Sequence, residues 1–198
     1  LIRWNDDEQG MITPDQFIPV AEETGLIVPI GEWVLEEACR QLQSWHDKAL
    51  PTIDVAVNVS GVQLNKADLL AQVEQALRLS GLPAKHLHIE LTESAILNGR
   101  ELAIKVLDTL RWKGISIALD DFGTGYSSLS YLRTLPIDIL KIDRSFINEI
   151  HHQHNAPILS AIITMAHALD LKVVAEGVEE SSQINFMTKK RCDIFQGY

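Results

Sequence analysis

Ile115-Ser116-Ile117-Ala118-Leu119-Asp120-Asp121 reads as a short strand that is apolar along its length and ends in two carboxylates. It is too short for a helix and rich in residues suited to a buried sheet. Five other runs share that character: Ile53–Val59, Leu87–Leu91, Ile137–Ile142, Leu171–Ala175 and Cys192–Phe195. Helix signals separate them. Thr13-Pro14-Asp15-Gln16 has the spacing of a capping box with proline in the first turn. Val34, Ala38, Leu42 and Trp45 recur at helical spacing and predict a core stripe. Leu69, Leu70, Val73, Ala76 and Leu77 predict another, closed by Gly81 and Pro83. Residues 100–113, 156–169 and 180–190 complete the set. Buried strands separated by helices pair in parallel, because parallel neighbours need a crossover between them.

An open doubly wound sheet and a closed (β/α) barrel both fit this alternation. The polar residues favour the barrel. Asn58, Glu90, Asp120 with Asp121, Lys141 with Asp143, Glu176 and Gln196 all stand at the C-terminal edges of apolar runs. A barrel gathers those ends at one mouth, whereas an open sheet spreads them along an edge. No glycine-rich dinucleotide fingerprint follows the first strand. Residues two apart share a strand face, so Asp120 goes with Ala118 and Ser116, Glu90 with His88, and Asn58 with Ala56. Small and polar partners of this kind suit a barrel interior, with Ile115, Ile117, Leu119, Ile89 and Leu91 facing the helices.

The 198 residues are 46% hydrophobic and 22% charged, an ordinary globular balance that argues against a disordered chain. The net charge of −10 speaks against a basic face for nucleic-acid polymers or anionic membranes. An anionic substrate would need metal ions or local arginines. Cys39 and Cys192 read as buried thiols of a reducing compartment rather than a disulfide framework. No apolar run reaches membrane-spanning length.

Adjacent aspartates repel, and burying them unpaired is costly. One resolution is a divalent cation: one carboxylate can bridge two ions while the next serves one of them. Glu90 and Asn58 would add oxygen ligands, and an all-oxygen set suits magnesium or manganese better than zinc. The simpler reading of Asp120-Asp121 is a turn cap, and Glu90, Asn58 and Glu176 at other strand ends weigh against it. Lys141 ends an apolar strand, where it could hold or help deprotonate an attacking water if cationic neighbours depress its pKa; an ion pair with Asp143 or Asp120 is the plainer role. The 121–128 loop, Asp-Phe-Gly-Thr-Gly-Tyr-Ser-Ser, could gate such a site but lacks the lysine of a phosphate-binding loop. His151, His152 and His154 read as a solvated connection. Trp33, Trp45 and Trp112 read as packing residues, and Glu179-Glu180 as a helix start, with Glu179 also able to brace Glu176.

Taken in order, Leu1-Ile2-Arg3-Trp4, Asn58-Val59-Ser60, Glu90-Leu91-Thr92-Glu93-Ser94, the 120–128 segment, Lys141-Ile142-Asp143, Ala175-Glu176-Gly177-Val178-Glu179 and Gln196-Gly197-Tyr198 resemble the EAL domain family of bacterial cyclic di-GMP phosphodiesterases. The likeness covers essentially the whole chain. It implies an α/β fold, a TIM-like (β/α) barrel of the EAL type, and hydrolysis of cyclic di-GMP to linear pGpG with two Mg2+ or Mn2+ ions. By this resemblance Asn58, Glu90, Asp120, Asp121 and Glu176 are metal ligands, with Asp120 bridging. Lys141, Asp121 and Glu176 are catalytic, Lys141 lying near the attacking water. Leu1, Arg3, Asn58, Asp143 and Gln196 meet substrate, Arg3 through a phosphate. Glu93, Gly123 and Glu179 position loops.

The name-giving Glu-Ala-Leu is represented only by Leu1, and the resemblance implies a missing first strand and C-terminal end, so a partial domain spanning 1–198 is expected. The family also implies a homodimer, fused GGDEF or sensory domains, and a cytoplasmic domain whose parent could be membrane-anchored. Two alternatives stand beside hydrolysis: a catalytically inactive cyclic di-GMP receptor, and another metal-dependent barrel enzyme such as one stabilising an enolate.

Overall fold

A computed structural model describes residues 2–48, 50–66, 68–97, 99–123, 132–148, 150 and 155–197. The chain divides into two compact units: Leu1–Ile89 with Ala95–Ile115, and Glu90–Ser94 with Ser116–Tyr198.

The first unit opens on an antiparallel hairpin, β1 (Trp4–Asp6) and β2 (Gly10–Ile12), that the sequence pattern did not predict. Its turn is built from side-chain chemistry. Asp6 Oδ1 accepts the N–H groups of Glu8 and Gln9 at 3.0 and 2.9 Å, and Gly10 takes the left-handed backbone (φ 74°) that closes it. Helix α1 (Pro14–Thr24) begins as predicted, with Gln16 Oε1 accepting the Thr13 N–H at 3.2 Å, and ends at Gly25.

Helix α2 (Ile27–Asp47) buries Ile27, Gly31, Leu35, Cys39 and Leu42. The predicted stripe is therefore rotated: of Val34, Ala38, Leu42 and Trp45 only Leu42 is fully buried, and Trp45 is exposed. Apolar residues surround much of this helix, so composition alone does not select the core face. Its partner does: α4 (Leu69–Ser80) packs along α2 and buries Leu69, Val73 and Ala76 as predicted, ending at Gly81. Trp33 is exposed as well, and Trp112 is 87% exposed, so neither is the packing residue expected of it.

Strand β3 (Val55–Asn58) leads into α3 (Gly61–Lys66). Strand β4 (Leu87–Thr92) runs into α5 (Glu93–Leu97), and α6 (Arg100–Trp112) follows. Only the Leu87–Ile89 half of β4 belongs to the first unit. Ahead of β3, the Asp54 carboxylate reaches His86 Nδ1 at 2.8 Å and His88 Nε2 at 3.5 Å.

The second unit takes the rest of β4, then β5 (Ser116–Phe122), β6 (Ile139–Ile142), α7 (Arg144–Asn148), α8 (Asn155–Ala168), β7 (Lys172–Glu176), α9 (Ser181–Lys189) and β8 (Ile194–Gln196). Strands β5 to β8 are consecutive parallel neighbours. Register aligns Ala118 with Ile139, Lys141 with Val174, and Glu176 with Gln196. Ala118, Ile139 and Val174 form one buried apolar layer, and Asp120, Lys141 and Glu176 stand two residues further along their respective strands. Ala118 and Asp120 thus stand on one face of β5, with the apolar layer one step before the polar one.

Aspartates clamp the opposite ends of these strands. Asp138 Oδ2 accepts the Ile117 N–H at 2.9 Å, and Asp193 Oδ2 accepts the Val173 N–H at 2.8 Å. Each stands just before a strand and satisfies a backbone donor of the neighbouring one. Among the described residues no helix is long and apolar enough to cross a membrane.

Candidate active site

The polar layer of the second unit is organised around one lysine. Lys141 Nζ lies 2.7 Å from Glu176 Oε1, 2.9 Å from Glu90 Oε2 and 3.0 Å from Asp120 Oδ1. The lysine side chain is 5% exposed and that of Glu90 12%. Strands β4, β5, β6 and β7 each contribute one of these side chains.

Asp121 joins them through a break in the strand. On β5, Leu119 pairs with Leu140 and Phe122 with Ile142, so one extra residue is accommodated between the two pairs. Such a bulge re-aims side chains. Asp121 adopts φ 54°, a left-handed conformation that aspartate tolerates better than most residues, and its N–H donates to Asp120 Oδ1 at 3.0 Å. In a regular strand neighbouring side chains diverge to opposite faces. Here Asp120, Asp121 and Glu176 can each offer an oxygen, all within 4.8 Å of one another.

The electrostatics follow from the count of charges. Burial works against a charge on Lys141, but the hydrogen bond to Glu176 and the Asp120 and Glu90 carboxylates outweigh it and raise its pKa above the ordinary lysine value. The shift is opposite to the depression expected from cationic neighbours, because the groups around Lys141 are carboxylates. Burial raises the Glu176 pKa against the opposing pull of Lys141, with Asp120 and Glu90 adding to the rise. Asp121 is raised by burial and by the Asp120 and Asp143 charges, with Lys141 opposing. One ammonium does not neutralise this many carboxylates. An all-oxygen donor set with excess negative charge fits a hard divalent cation, which would complete the compensation that Lys141 begins.

The remaining predicted residues are spread more widely. Asp143 is half-buried and caps α7, its Oδ1 accepting the Ser145 N–H at 2.9 Å; with that hydrogen bond and Arg144 prevailing over burial, its pKa is lowered. Gln196 is exposed and opposite Glu176, and its carbonyl accepts the Val178 N–H at 3.0 Å. Gly123 takes φ 103° at the exit of β5. Glu93 is half-buried at the start of α5. Glu179 is exposed; its backbone N–H donates to Gln183 Oε1 at 2.8 Å, and Glu180 is the N-cap of α9, as the helix-start reading expected. Asn58 is exposed at the end of β3, and Arg3 is exposed ahead of β1, both in the first unit. Leu1, residues 124–131, His151, His152, His154 and Tyr198 lie outside the described residues. Cys39 and Cys192 are free and buried, as expected, and burial pushes both thiols up to about 11.

Sequence reasoning passed over Gln183, which is 5% exposed and accepts two backbone N–H groups. Its signal was present: Glu180 and Gln183 have the spacing of a capping box, as Thr13 and Gln16 do.

The chain resembles known proteins along its whole length. It is 48% identical over 199 residues to the bifunctional diguanylate cyclase/cyclic di-GMP phosphodiesterase MucR of Pseudomonas aeruginosa, covering 100% of this chain and 29% of that protein. It is 47% identical to the cyclic di-GMP phosphodiesterase NbdA of the same organism, covering 100% of this chain and 25% of that one. It thus spans between a quarter and a third of the length of these relatives. The solved structure of PaMucR phosphodiesterase in complex with c-di-GMP superimposes with a TM-score of 0.93 at 48% identity, covering 100% of this chain and 80% of that one. That match bears out the expected α/β fold of the EAL type. The family model described as the EAL domain matches residues 1–198, and the chain belongs to the EAL domain family.

Proposed function

We propose that this chain is the catalytic domain of a metal-dependent phosphodiesterase that hydrolyses cyclic di-GMP to linear pGpG. The observation that carries the reading is the convergence of Glu90, Asp120, Asp121 and Glu176 around buried Lys141. The phosphodiesterase names of the relatives and the bound ligand of the superimposed structure support the choice of substrate.

In this reading Asp120, Asp121 and Glu176, with Glu90 and Asn58, hold two Mg2+ or Mn2+ ions, which when bound supply Lewis acidity and a nucleophilic water. Lys141 keeps its proton and acts as a fixed positive charge. It holds three carboxylates in place, its three N–H groups directed at Glu90, Asp120 and Glu176 beside the position of the attacking water. Arg3 makes charge-assisted hydrogen bonds to a phosphate. Asp143 and Gln196 flank the substrate, Gln196 from the strand beside Glu176. Water adds to phosphorus, and the product's new terminal phosphate remains on the 5′ side. The P–O3′ bond therefore breaks, and the proton ends on the released 3′-hydroxyl. The excess negative charge of the site would repel the dinucleotide without the cations, so binding as well as chemistry depends on them. The domain works in the cytoplasm, as a homodimer, within a larger signalling protein.

The test is chromatography of products from cyclic di-GMP and Mn2+ with the full-length protein. Formation of pGpG by the wild type, lost in Asp120→Asn with folding unchanged, is the expected result. Nucleotide binding without pGpG under saturating Mn2+ would replace the reading with that of a receptor. Wild-type rates in Asp120→Asn would remove the assigned site.

A further inference from the structure

One short helix stands between the exit of β5, which carries Asp120 and Asp121, and the exit of β7, which carries Glu176. On one side of α7 the Phe146 ring covers Gly123. A Cβ added to Gly123 would fall 2.5 Å from Phe146 Cε2, and the backbone there has φ 103°. On the other side Arg144 covers Gly177. A Cβ at Gly177 would fall 2.6 Å from that of Arg144, again at positive φ, 67°. Two left-handed glycines thus let bare backbone approach α7 from both flanks.

The β7 side is also latched. Gln183 of α9 accepts the N–H groups of Glu179 and Glu180 at 2.8 and 2.9 Å, and its Nε2 donates across to the Ile147 carbonyl of α7 at 3.4 Å. Gln183 and Ile147 are both buried. The same loop is tied to β8 through the Val178 N–H and the Gln196 carbonyl. A buried amide that serves two donors of one loop and one acceptor of a neighbouring helix is costly to leave half-satisfied, which makes its geometry restrictive.

We infer that α7 is a spacer that sets the separation of the Asp120–Asp121 carboxylates from Glu176, and that Gln183, by latching the Glu176 exit loop to Ile147, is a positioning residue for divalent-cation binding. Gln183 reaches the cation site only through that loop. The inference rests on the proposed ligand role of Asp120, Asp121 and Glu176. Partners one step removed from the ligands commonly affect metal affinity by about 10- to 100-fold.

The test measures Mn2+ binding to the full-length protein by electron paramagnetic resonance without nucleotide, beside thermal unfolding and turnover. Gln183→Met keeps the length of the side chain and removes donor and acceptor. It is expected to weaken Mn2+ binding by about tenfold or more, with turnover restored to within about threefold by excess Mn2+ and KM for the nucleotide little changed. Phe146→Leu tests the other flank without touching the latch and is expected to weaken Mn2+ binding in the same direction, so the inference survives a Gln183 variant that does not fold. Wild-type Mn2+ affinity in both folded variants would overturn it, and so would a turnover loss that excess Mn2+ leaves in place. A wild type that binds Mn2+ but forms no pGpG removes the proposed function alone, since the resonance comparison still decides the role of Gln183. A wild type that binds no Mn2+ removes both.

Discussion

Lys141 on β6 and Asp120 on β5 are joined by a 3.0 Å ion pair, and Asp120 is also the residue at which β5 leaves regular pairing. The buried ammonium and the strand irregularity therefore meet at one carboxylate. Lys141 compensates part of a negative cluster that the bulge makes denser, and each feature raises the energetic importance of the other.

Replacing Lys141 with Met should leave Glu90, Asp120 and Glu176 without their shared counter-charge. Breaking a buried pair from one side costs about 3–5 kcal/mol. The expected result in urea unfolding with chelator present is a loss of that order, partly recovered by Mn2+, together with loss of turnover. A variant as stable as the wild type in chelator would contradict the compensating role.

Asp121→Gly separates stability from chemistry. Glycine adopts φ 54° without the strain a side chain brings, and the variant relieves the Asp120–Asp121 repulsion. We expect stability equal to the wild type or higher by about 1 kcal/mol, with Mn2+ binding weakened. Marked destabilisation in thermal unfolding would show that the Asp121 side chain itself supports the bulge.

Asp193 supplies the pH dependence. Burial would raise its pKa, but hydrogen bonds from His167 and from the Val173 N–H prevail and lower it. A carboxyl with a depressed folded pKa contributes stability that is present above its unfolded pKa, near 4, and lost as pH falls through the lower folded value. Asp193→Asn should therefore be less stable than the wild type at pH 6, by no more than about 1 kcal/mol since the pair is partly exposed, and the gap should close below about pH 4. A gap that widens on acidification would reverse the assignment.

Gly31→Ala tests the packing of α2. A Cβ at Gly31 would collide with the amide of buried Gln63, whose backbone N–H is hydrogen-bonded to Ser60 Oγ and whose Oε1 accepts the Ser60 N–H. Overpacking costs about 1–3 kcal/mol, while alanine favours a helix over glycine by about 1 kcal/mol. Gly31→Ala should destabilise the native sequence and stabilise a Gln63→Ala background. The same sign in both backgrounds would remove Gln63 as the reason for the glycine.

Much of the fold could be read along the chain. The six apolar runs became β3 to β8, and the capping signals at Thr13, Gly81 and Glu180 mark real helix ends. What escaped were features without a period. The β1–β2 hairpin depends on one aspartate accepting two backbone donors. Helix α7 is five residues long, too short for a repeating pattern. The core face of α2 is rotated from the one that spacing predicts, because its apolar residues wrap too far round for spacing to choose between faces.

The amino-acid sequence alone determined the order of strands and helices and placed carboxylates and a lysine at strand ends, because periodicity and chain punctuation are local properties. Tertiary structure decided that Asp120 and Asp121 converge with Glu176 rather than diverge, that Lys141 gains rather than loses proton affinity, and that Gln183 links α9 to α7. Those outcomes depend on bulged strand pairing, on burial and on charges distant in sequence, and these exist only once the strands lie side by side.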